Sequence, residues 1–577
     1  MAVSSNNGAA ELAPLLVEET VEGMVDYNGQ KARRLSSGGW RSAGFIIGVE
    51  IAERFVFYGI ICNLITYLTG HLGQSTATAA NNVNAWSGVA TLTPLLGAFI
   101  ADSYLGRYQT ILYSSLLYVL GLGLLTISVT ITPSSPTLCG NNGASSTCPS
   151  QFQKLFFFAS LYLVAIAVGG HKPCTQAFGA DQFDGQDREE SKSKSSFFNW
   201  WYFGMCSGIG VAFLILSYIQ DNLSWSLGIG IPCITMVLAL VVFVLGTKTY
   251  RYSTGGENGR SPFVKIARVF IAAAKKWRSS KAFPLTAQDE ENTITSSLLS
   301  NKFRFLDKAL RAESDQNRDC LEPNDCAVCS ASQVNEAKAV LQLAPIWCTC
   351  LAYAVAFAQP PTLFTKQGST MDRKIGSNFQ IPAASIQVFT VVSIIFVMPI
   401  YDRIFVPIAR AFTNKPYGIT TLQRIGFGML IYTVAMALAA VVEKKRLDIA
   451  RNYGLVENPE ATVPMSIWWL VPQYLVCGVS DAFAVVGLQE FFYDQVPDEL
   501  RSIGAALYLS IFGIGSFISG FIISVIDKVT SKNGGDSWIS TNLNKGHLDY
   551  FYWLLAALNL LGLIAFIYFA RSYVYRR

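Results

Sequence analysis

The feature that most constrains this chain is a series of long apolar runs without charged residues. Such runs recur along most of the 577 residues, and only 14% of residues are Asp, Glu, Lys or Arg, against about 25% in typical soluble domains. Each run is long enough to cross the ~30 Å hydrocarbon core of a bilayer. Backbone polar groups cannot stay unpaired in lipid, so each run is expected to be helical. The sequence therefore predicts an all-α membrane protein with about twelve transmembrane helices.

Charge divides the chain into two halves of six spans each. We predict a cytosolic N-terminal tail, a first six-helix bundle, a cytosolic linker, a second six-helix bundle and a cytosolic C-terminal tail, at residues 1–42, 43–247, 248–336, 337–571 and 572–577. An amphipathic helix is expected in the linker around Phe263–Trp277. Lys and Arg concentrate in the linker, which marks the cytosolic side, whereas Lys444, Lys445 and Arg446 depart from this rule.

Overall charge and motif content exclude several classes of function. The net charge of +5 is spread over loops, so it does not form the dense basic face of a nucleic-acid binder. The sequence has no Walker loop, no catalytic triad pattern and no HExxH motif. We therefore expect a transporter rather than an enzyme. Its partners would be a small solute, protons and membrane lipid, and no cofactor or metal is expected.

Three charged residues in the first span, predicted near Ala43 to Thr69, are the leading functional candidates. A charge at membrane depth costs at least ~2.5 kcal/mol, so it usually serves a function. Glu50, Glu53 and Arg54 occupy positions i, i+3 and i+4, which share one helix face. Two carboxylates beside one guanidinium leave a titratable surplus, which favours a proton relay. The alternative is a static ion pair that holds helices together.

Further polar and aromatic residues inside the spans are candidates for a solute site. Lys172, near the end of the fourth span, either faces the same cavity as the acidic pair or extends to the cytosolic surface. Asp481, in the tenth span, is interpreted as a gate or substrate residue rather than a helix–helix hydrogen bond. The aromatic candidates for cavity lining, each with simple packing as its alternative, are Tyr58, Tyr353 and Phe357.

A faint internal repeat marks the cytosolic ends of the second and eighth spans. Asp102 and Arg107 end the second span, and Asp402 and Arg403 stand in the corresponding place of the second half. An acid and a base at such turns can cap helix ends and pair across helices. Repeating that arrangement in two halves is what a transporter of two rocking bundles needs.

From Gly38 onward the chain carries many motifs in a characteristic order. It resembles the plant nitrate/peptide transporter family, within the proton-coupled oligopeptide transporters of the major facilitator fold. The motifs that carry the resemblance include Glu50-x-x-Glu53-Arg54-Phe55, Gly97-x-x-x-Ala101-Asp102, Asp181-Gln182-Phe183-Asp184, Phe303-Arg304-Phe305-Leu306, Leu422-Gln423-Arg424-Ile425-Gly426 and Asn542-Leu543-Asn544.

The resemblance implies a mechanism and a set of residues. It implies alternating access with the proton as coupling ion, and nitrate or a di- or tripeptide as solute. Glu50, Glu53 and Arg54 would carry proton coupling, with Lys172 coupled to them from the fourth span. A plant hormone or specialised-metabolite carrier and a non-transporting solute sensor are the alternatives on the same fold.

Two positions depart from the markers of the best-known substrates. The nitrate-binding relative has a histidine just before Ala-Gln on the seventh span, where this chain has Phe357 before Ala358-Gln359. Peptide carriers often have an arginine shortly after Tyr-Gly on the first span, where this chain has Ile60 and Ile61. Neither substrate is excluded, but neither is supported by its best marker.

Short motifs suggest targeting and regulation. Glu11, Leu15 and Leu16 have the form of an acidic dileucine signal, which favours the vacuolar membrane over the plasma membrane. Thr110 matches a threonine that is phosphorylated in a nitrate-carrying relative, and Ser36 follows two arginines as in substrates of basophilic protein kinases. Cys139 and Cys148 lie in a loop outside the membrane or in the lumen, where a disulfide is expected.

Overall fold

The computed structural model describes most of the chain as helices. The described residues are 20–131, 149–253, 262–275, 303, 305–306, 331–376, 379–413, 419–459, 461–497, 500–532 and 536–575. Within them, eleven helices are long and apolar enough to cross a membrane. A further helix, Gly39–Ile61, is about 34 Å long and carries Glu50, Glu53 and Arg54 in its interior. The predicted all-α membrane protein with about twelve spans is confirmed.

The first half contains helices α1 to α8. They are α1 Gly39–Ile61, α2 Leu64–Gly70, α3 Thr76–Ile100, α4 Arg107–Ile131, α5 Gln151–Ala180, α6 Arg188–Val211, α7 Ser217–Asn222 and α8 Trp225–Leu245. Helix α3 continues through a π-helical turn, Ala101–Leu105, and α6 and α7 are joined by a second one, Ala212–Leu216. We call the end of the molecule where α1 begins and α8 ends the linker side, and the opposite end the outer side.

The linker and the second half contain helices α9 to α18. They are α9 Pro262–Lys275, α10 Ala331–Gln342, α11 Ala344–Phe357, α12 Thr365–Ser369, α13 Val388–Ile400, α14 Val406–Thr413, α15 Thr421–Asn452, α16 Val471–Asp494, α17 Arg501–Thr530 and α18 Leu548–Arg571. Two more π-helical turns, Pro360–Phe364 and Tyr401–Phe405, interrupt α11–α12 and α13–α14. Helix α9 is the amphipathic linker helix expected from the sequence.

The first span does not run unbroken to Thr69 as predicted. Helix α1 begins at Gly39, ends at Ile61, and is followed by a turn before α2. The Asn63 side chain in this turn donates a hydrogen bond to Asp221 at 2.8 Å. The break also releases the carbonyl of Cys62 from the helical hydrogen bonds, and Gln387 of the second bundle donates to it.

The segment predicted as an N-terminal tail contains regular structure from Thr20 onward. Strands β1 (Thr20–Val25) and β2 (Lys31–Arg33) form a hairpin, and β1 also pairs with β3 (Tyr252–Ser253) at the start of the linker. Two further two-stranded sheets pair β4 (Met371–Asp372) with β7 (Val463–Ser466) and β5 (Lys374–Ile375) with β6 (Phe379–Gln380). The hairpin joins the tail to the linker.

A buried arginine fixes this hairpin to the first bundle. The guanidinium of Arg251, 1% exposed, donates to both carboxylate oxygens of Glu190 at 2.7 and 3.1 Å. It also donates to the carbonyls of Ser37 and Gln182. Nearby, Arg34 bonds Asp184 at 2.6 Å. The Asp181-Gln182-Phe183-Asp184 motif therefore anchors the tail.

Close helix contacts inside each bundle depend on glycine. A Cβ at Gly97 of α3 would overlap the backbone of Gly169 in α5, and a Cβ at Gly478 of α16 would overlap Thr390 in α13. On the outer side of the second bundle, the fully buried Arg446 bonds Glu443 through two nitrogens at 2.7 and 2.8 Å. The ion pair with Glu443 neutralises Arg446, one of the three basic residues that depart from the charge rule, at the outer end of α15.

The two bundles meet on the outer side through several polar contacts. Arg373 lies 3.3 Å from Asp221. Gln387 donates to the carbonyl freed at Cys62 at 3.1 Å, and Lys366 donates to Thr69 at 3.1 Å. Towards the middle, Asn84 of α3 donates to Ser519 of α17 at 3.1 Å. These contacts hold the outer ends together and close that side of the molecule.

We predict that Arg251→Ala lowers the free energy of unfolding by about 3 kcal/mol, because it leaves the Glu190 carboxylate without its buried partner. Thermal unfolding of the detergent-purified protein measures this as a lower melting temperature. The matched control is Lys192→Ala, which removes an exposed pair with Glu189 and should change stability by less than ~0.5 kcal/mol. Equal melting temperatures for both variants would contradict the anchoring role of Arg251.

Candidate functional site

The charged cluster of α1 is buried inside the first bundle. Arg54 donates to Oε1 of Glu50 at 2.6 Å, and its Nε lies 3.5 Å from Oε2 of Glu53. Glu50 is 1% exposed and Glu53 is fully buried. One guanidinium therefore serves two carboxylates, but it binds Glu50 closely and Glu53 only at a distance.

Glu53 is the less satisfied of the two acids. Neither of its carboxylate oxygens has a hydrogen-bond partner among the described residues, and the same holds for Oε2 of Glu50. Burying an ionised carboxylate without partners is costly. A proton on Glu53 would remove its charge and supply a hydrogen-bond donor.

Lys172 lies beside this cluster on α5. Its Nζ sits 3.6 Å from the centre of the Phe57 ring, which is a cation–π contact, and Phe57 stacks on Trp86 at 5.5 Å. Lys172 also interacts electrostatically with Glu50 and Glu53. Of the two arrangements left open by the sequence, the structure has the one in which Lys172 faces the acidic pair.

In the second bundle, Asp481 of α16 is buried. The hydroxyl of Tyr353 in α11 donates to its Oδ1 at 2.7 Å. Phe357, one turn further along α11, packs edge-on against Phe512 of α17 at 4.9 Å. Asp481 is therefore hydrogen-bonded between two helices of the second bundle, the arrangement that the sequence interpretation ranked below a gate or substrate role.

Aromatic side chains lie where the two bundles meet. Tyr58 of α1 and Tyr202 of α6 belong to one apolar cluster with Val388 of α13. Tyr508 of α17 packs edge-on against Phe512, with ring centres 5.5 Å apart. The sequence did not single out Tyr508, because a lone tyrosine in an apolar span has the same pattern as a residue of an interfacial belt. These residues define the candidate solute site between the bundles.

The acid–base pairs at the linker side differ from those expected. Arg107, at the start of α4, bonds Asp181 at the end of α5, and Asp102 interacts with Arg107 only electrostatically. The equivalent contact in the second half joins Arg424 of α15 to Glu490 of α16 at 3.3 Å. Asp181 and Glu490 are thus the partners that the sequence analysis did not predict. Each lies far along the chain from its arginine, so local spacing could not identify the pair.

The second-half pair expected from the repeat is also placed differently. Asp402 and Arg403 lie in the π-helical turn after α13, and both are exposed. The neighbouring Tyr401 ring instead receives the guanidinium of Arg424, 4.4 Å from its centre. The repeated feature is therefore an arginine at a helix start bound to an acid at the end of the next helix.

The regulatory candidates fall into two groups. Thr110 is buried, and its hydroxyl donates to the carbonyl of Gly106 at 2.8 Å, whereas Ser36 is exposed in the turn between β2 and α1. The dileucine residues and the expected disulfide pair lie outside the described residues, so the structure places none of Glu11, Leu15, Leu16, Cys139 or Cys148.

Two helical bundles that touch at one end and carry buried charged residues in membrane-spanning helices have the architecture of a solute transporter. The chain matches the sequence profile of the PTR2 (POT) family over residues 108–539. It is 59% identical over 553 residues to Protein NRT1/ PTR FAMILY 5.10 of Arabidopsis thaliana, covering 96% of each chain. It is 52% identical to NRT1/ PTR FAMILY 5.12 of the same plant, covering 99% of each chain. The chain belongs to the POT family.

Solved structures support the same assignment at the level of the fold. An auto-inhibited POT family peptide transporter superposes with a TM-score of 0.67 at 21% identity, covering 93% of this chain and 98% of that one. The POT family transporter PepTSo gives 0.65 at 20% identity, with 92% and 98% coverage. The resemblance to the nitrate/peptide family and the major facilitator fold are confirmed. The chain is a multi-pass membrane transporter, not an enzyme.

We predict that Tyr353→Phe lowers stability by about 1–3 kcal/mol, because it leaves a buried oxygen of Asp481 without its hydrogen-bond donor. The ring is retained, so the change isolates the bond to Asp481. Thermal unfolding of the purified protein measures the loss. Tyr104→Phe is the control, since Tyr104 is 76% exposed. A Tyr353→Phe variant as stable as the control would show that the bond to Asp481 contributes nothing.

Proposed function

We propose that this chain is a proton-coupled symporter of a small polar or anionic solute that works by alternating access. The observation that carries the proposal is Glu53, a fully buried acid whose oxygens have no hydrogen-bond partner among the described residues. It lies five residues before Tyr58 on α1, and Tyr58 packs in an apolar cluster with Val388 of the other bundle. A change of charge at Glu53 therefore acts next to the surface along which the bundles move.

The proton acts by competing with Arg54. When Glu53 and Glu50 are ionised, both attract the guanidinium. Protonation weakens that attraction and leaves Arg54 and Lys172 available to an anionic group of the solute. A proton that moves through 100 mV supplies about 2.3 kcal/mol, and each pH unit adds about 1.4 kcal/mol. Both terms favour solute accumulation on the side to which the proton flows.

The moving parts are the two bundles, 43–247 and 337–571, joined by a cytosolic linker. In the state described here, the outer contacts are formed, so the site would open towards the cytosol. Arg107–Asp181 and Arg424–Glu490 fix the linker-side ends of two helix pairs, and they would let each bundle move as a unit. The apolar surfaces of both bundles that point away from the partner bundle contact lipid.

Nitrate or a di- or tripeptide is the proposed solute. The family resemblance supports these solutes: two relatives named NRT1/ PTR FAMILY are 59% and 52% identical to this chain, and one superposed structure is a peptide transporter. The second candidate is a plant hormone or a specialised metabolite, because the aromatic side chains of Tyr58 and Tyr202 lie where the two bundles meet. A solute sensor remains the alternative without transport.

Location and regulation are proposed from the sequence signals. The dileucine signal at Glu11, Leu15 and Leu16 favours the vacuolar membrane, with the plasma membrane as the alternative. A protein kinase would reach the exposed Ser36 directly, whereas Thr110 would first have to leave its bond to Gly106. From an acidic vacuole, proton symport would carry solute towards the cytosol.

We predict an inward current that grows at acidic pH when one solute of a panel reaches voltage-clamped oocytes. The panel is nitrate, dipeptides and hormone acids, with Leu15 and Leu16 changed to Ala if the protein stays inside the cell. Glu53→Gln and Glu50→Gln should each reduce uptake to the level that the solute gradient alone supports. Glu189→Gln, at an exposed acid, is the control. Uptake that keeps its pH dependence in both core variants would refute proton coupling here.

We also predict that Asp221→Asn opens the outer side more often, because it weakens the ion pair with Arg373. Cys62, buried behind this contact, is the reporter in a background without other cysteines. Its labelling by a membrane-impermeant maleimide should accelerate roughly tenfold, equivalent to ~1.4 kcal/mol. The control is Asp448→Asn, at an exposed pair. Unchanged labelling in Asp221→Asn would contradict the role of this contact in closure.

A further inference from the structure

The outer end of α15 carries six charged side chains within nine residues, and four of them pair with one another. Arg446 binds Glu443 in the interior, and Asp448 lies 3.4 Å from the arginine three residues later. The remaining two charges, those of Lys444 and Lys445, are exposed and have no ion pair among the described residues. Of the three basic residues that depart from the charge rule, only Arg446 is therefore neutralised within the protein.

Lys444 and Lys445 continue an exposed apolar face of α15. That face includes Leu430, Val434 and Val441, whose spacing of four and seven residues places them on one side of a helix. The two lysines stand three and four residues beyond Val441, which is about 4.5 to 6 Å further along the same face. Because α15 is long and apolar enough to cross the membrane, this face contacts lipid. The two ammonium groups therefore stand at the outer edge of the hydrocarbon region, near the headgroups.

Two tryptophans at the start of the next helix complete this surface. The Nζ atom of Lys445 lies 3.5 Å from the centre of the Trp469 ring, which is a cation–π contact. Trp468 and Trp469 are both exposed just before α16 begins at Val471, and Trp468 packs edge-on against Phe389. Tryptophan is enriched at the level of the lipid headgroups. The contact with Trp469 orders the Lys445 side chain, and its ammonium group still has hydrogen-bond donors to offer.

The chemistry of this surface identifies its ligand as an anionic phospholipid. Two ammonium groups without acids attract a phosphate group, and indole rings beside an apolar helix face attract acyl chains. Inorganic phosphate would use only the charges, and an acidic soluble protein cannot reach a helix face that lies within the bilayer. A zwitterionic lipid brings its own cation to the two lysines, so a headgroup with a net negative charge is favoured.

Other lysines on the outer side are placed differently. Lys545 bonds Glu457 at 2.6 Å, so its charge is already compensated. Lys374 lies in strand β5 next to Arg373, which contacts Asp221 of the other bundle rather than lipid. The combination of uncompensated charge, a lipid-facing helix and a tryptophan contact therefore distinguishes the outer end of α15.

We propose that Lys444, Lys445 and Trp469 form a binding site for an anionic phospholipid in the leaflet on the outer side. The phosphate group binds the two ammonium groups, and the acyl chains lie along the apolar face that ends at Val441. The lipid supplies the negative charge that these two lysines do not find within the protein. This site is separate from the solute site and does not depend on proton coupling.

The test is native mass spectrometry of the full-length protein, titrated in detergent with phosphatidylglycerol or phosphatidylcholine. The wild type should bind its first phosphatidylglycerol roughly tenfold more tightly than the Lys444→Gln/Lys445→Gln double variant, whereas phosphatidylcholine should bind both equally. Trp469→Leu keeps an apolar side chain but removes the cation–π contact, so it should weaken phosphatidylglycerol binding by a smaller factor. Both lysines are exposed, and an unchanged melting temperature of the double variant verifies that it is folded.

The position of the lipid is measured with a phosphatidylglycerol that carries a photoreactive group on one acyl chain. Crosslinks should map to the peptides around Val441 and Trp469 in the wild type and be lost from the double variant. Lys374→Gln is the matched control, since it removes a positive charge from the outer side without touching this surface, and it should behave like the wild type. Equal phosphatidylglycerol binding by the wild type and the double variant, or crosslinks elsewhere only, would overturn the site. Displacement of the lipid by inorganic phosphate would also overturn it, because the surface would then bind a free anion.

Discussion

The structure depends on one arrangement of charge, in which a single arginine serves two carboxylates inside an apolar bundle. Arg54 binds Glu50 closely and Glu53 loosely. If Arg54 satisfied both acids, the cluster would be a permanent ion pair, and if it satisfied neither, the charges could not be buried. In the proposed mechanism, the intermediate case allows Glu53 to exchange a proton.

In the proposed mechanism, the rest of the fold converts a change of charge at Glu53 into a movement of the two bundles. Glycines such as Gly97 allow the helices within a bundle to pack backbone against backbone, so each bundle is rigid. Between the bundles, the outer side is held by a few polar contacts that can separate, including Arg373–Asp221 and Lys366–Thr69. Rigid bundles joined by weak contacts are what alternating access requires, and the site between them lies next to Glu53.

Much of this could be predicted from sequence because it depends on local pattern. Apolar runs gave the spans, and the i, i+3, i+4 spacing placed Glu50, Glu53 and Arg54 on one face of α1. What failed depends on partners that are distant in the chain. The break after Ile61 has no proline or glycine, and it is held by Asp221 and Gln387. The tail hairpin depends on Arg251, and Tyr508 joins the site only through helix packing.

The central claim is that protonation at Glu53 biases which side of the two bundles is open. Distances between spin labels in a cysteine-free background measure this without any knowledge of the solute. One pair would join the outer ends at Ile131 and Tyr453, and the other would join the linker-side ends at Tyr104 and Arg403. The account predicts that acidification changes the two distances in opposite senses, and that Glu53→Gln shows the acidic distances at every pH. Distances that stay constant with pH, or that change in the same sense, would contradict it.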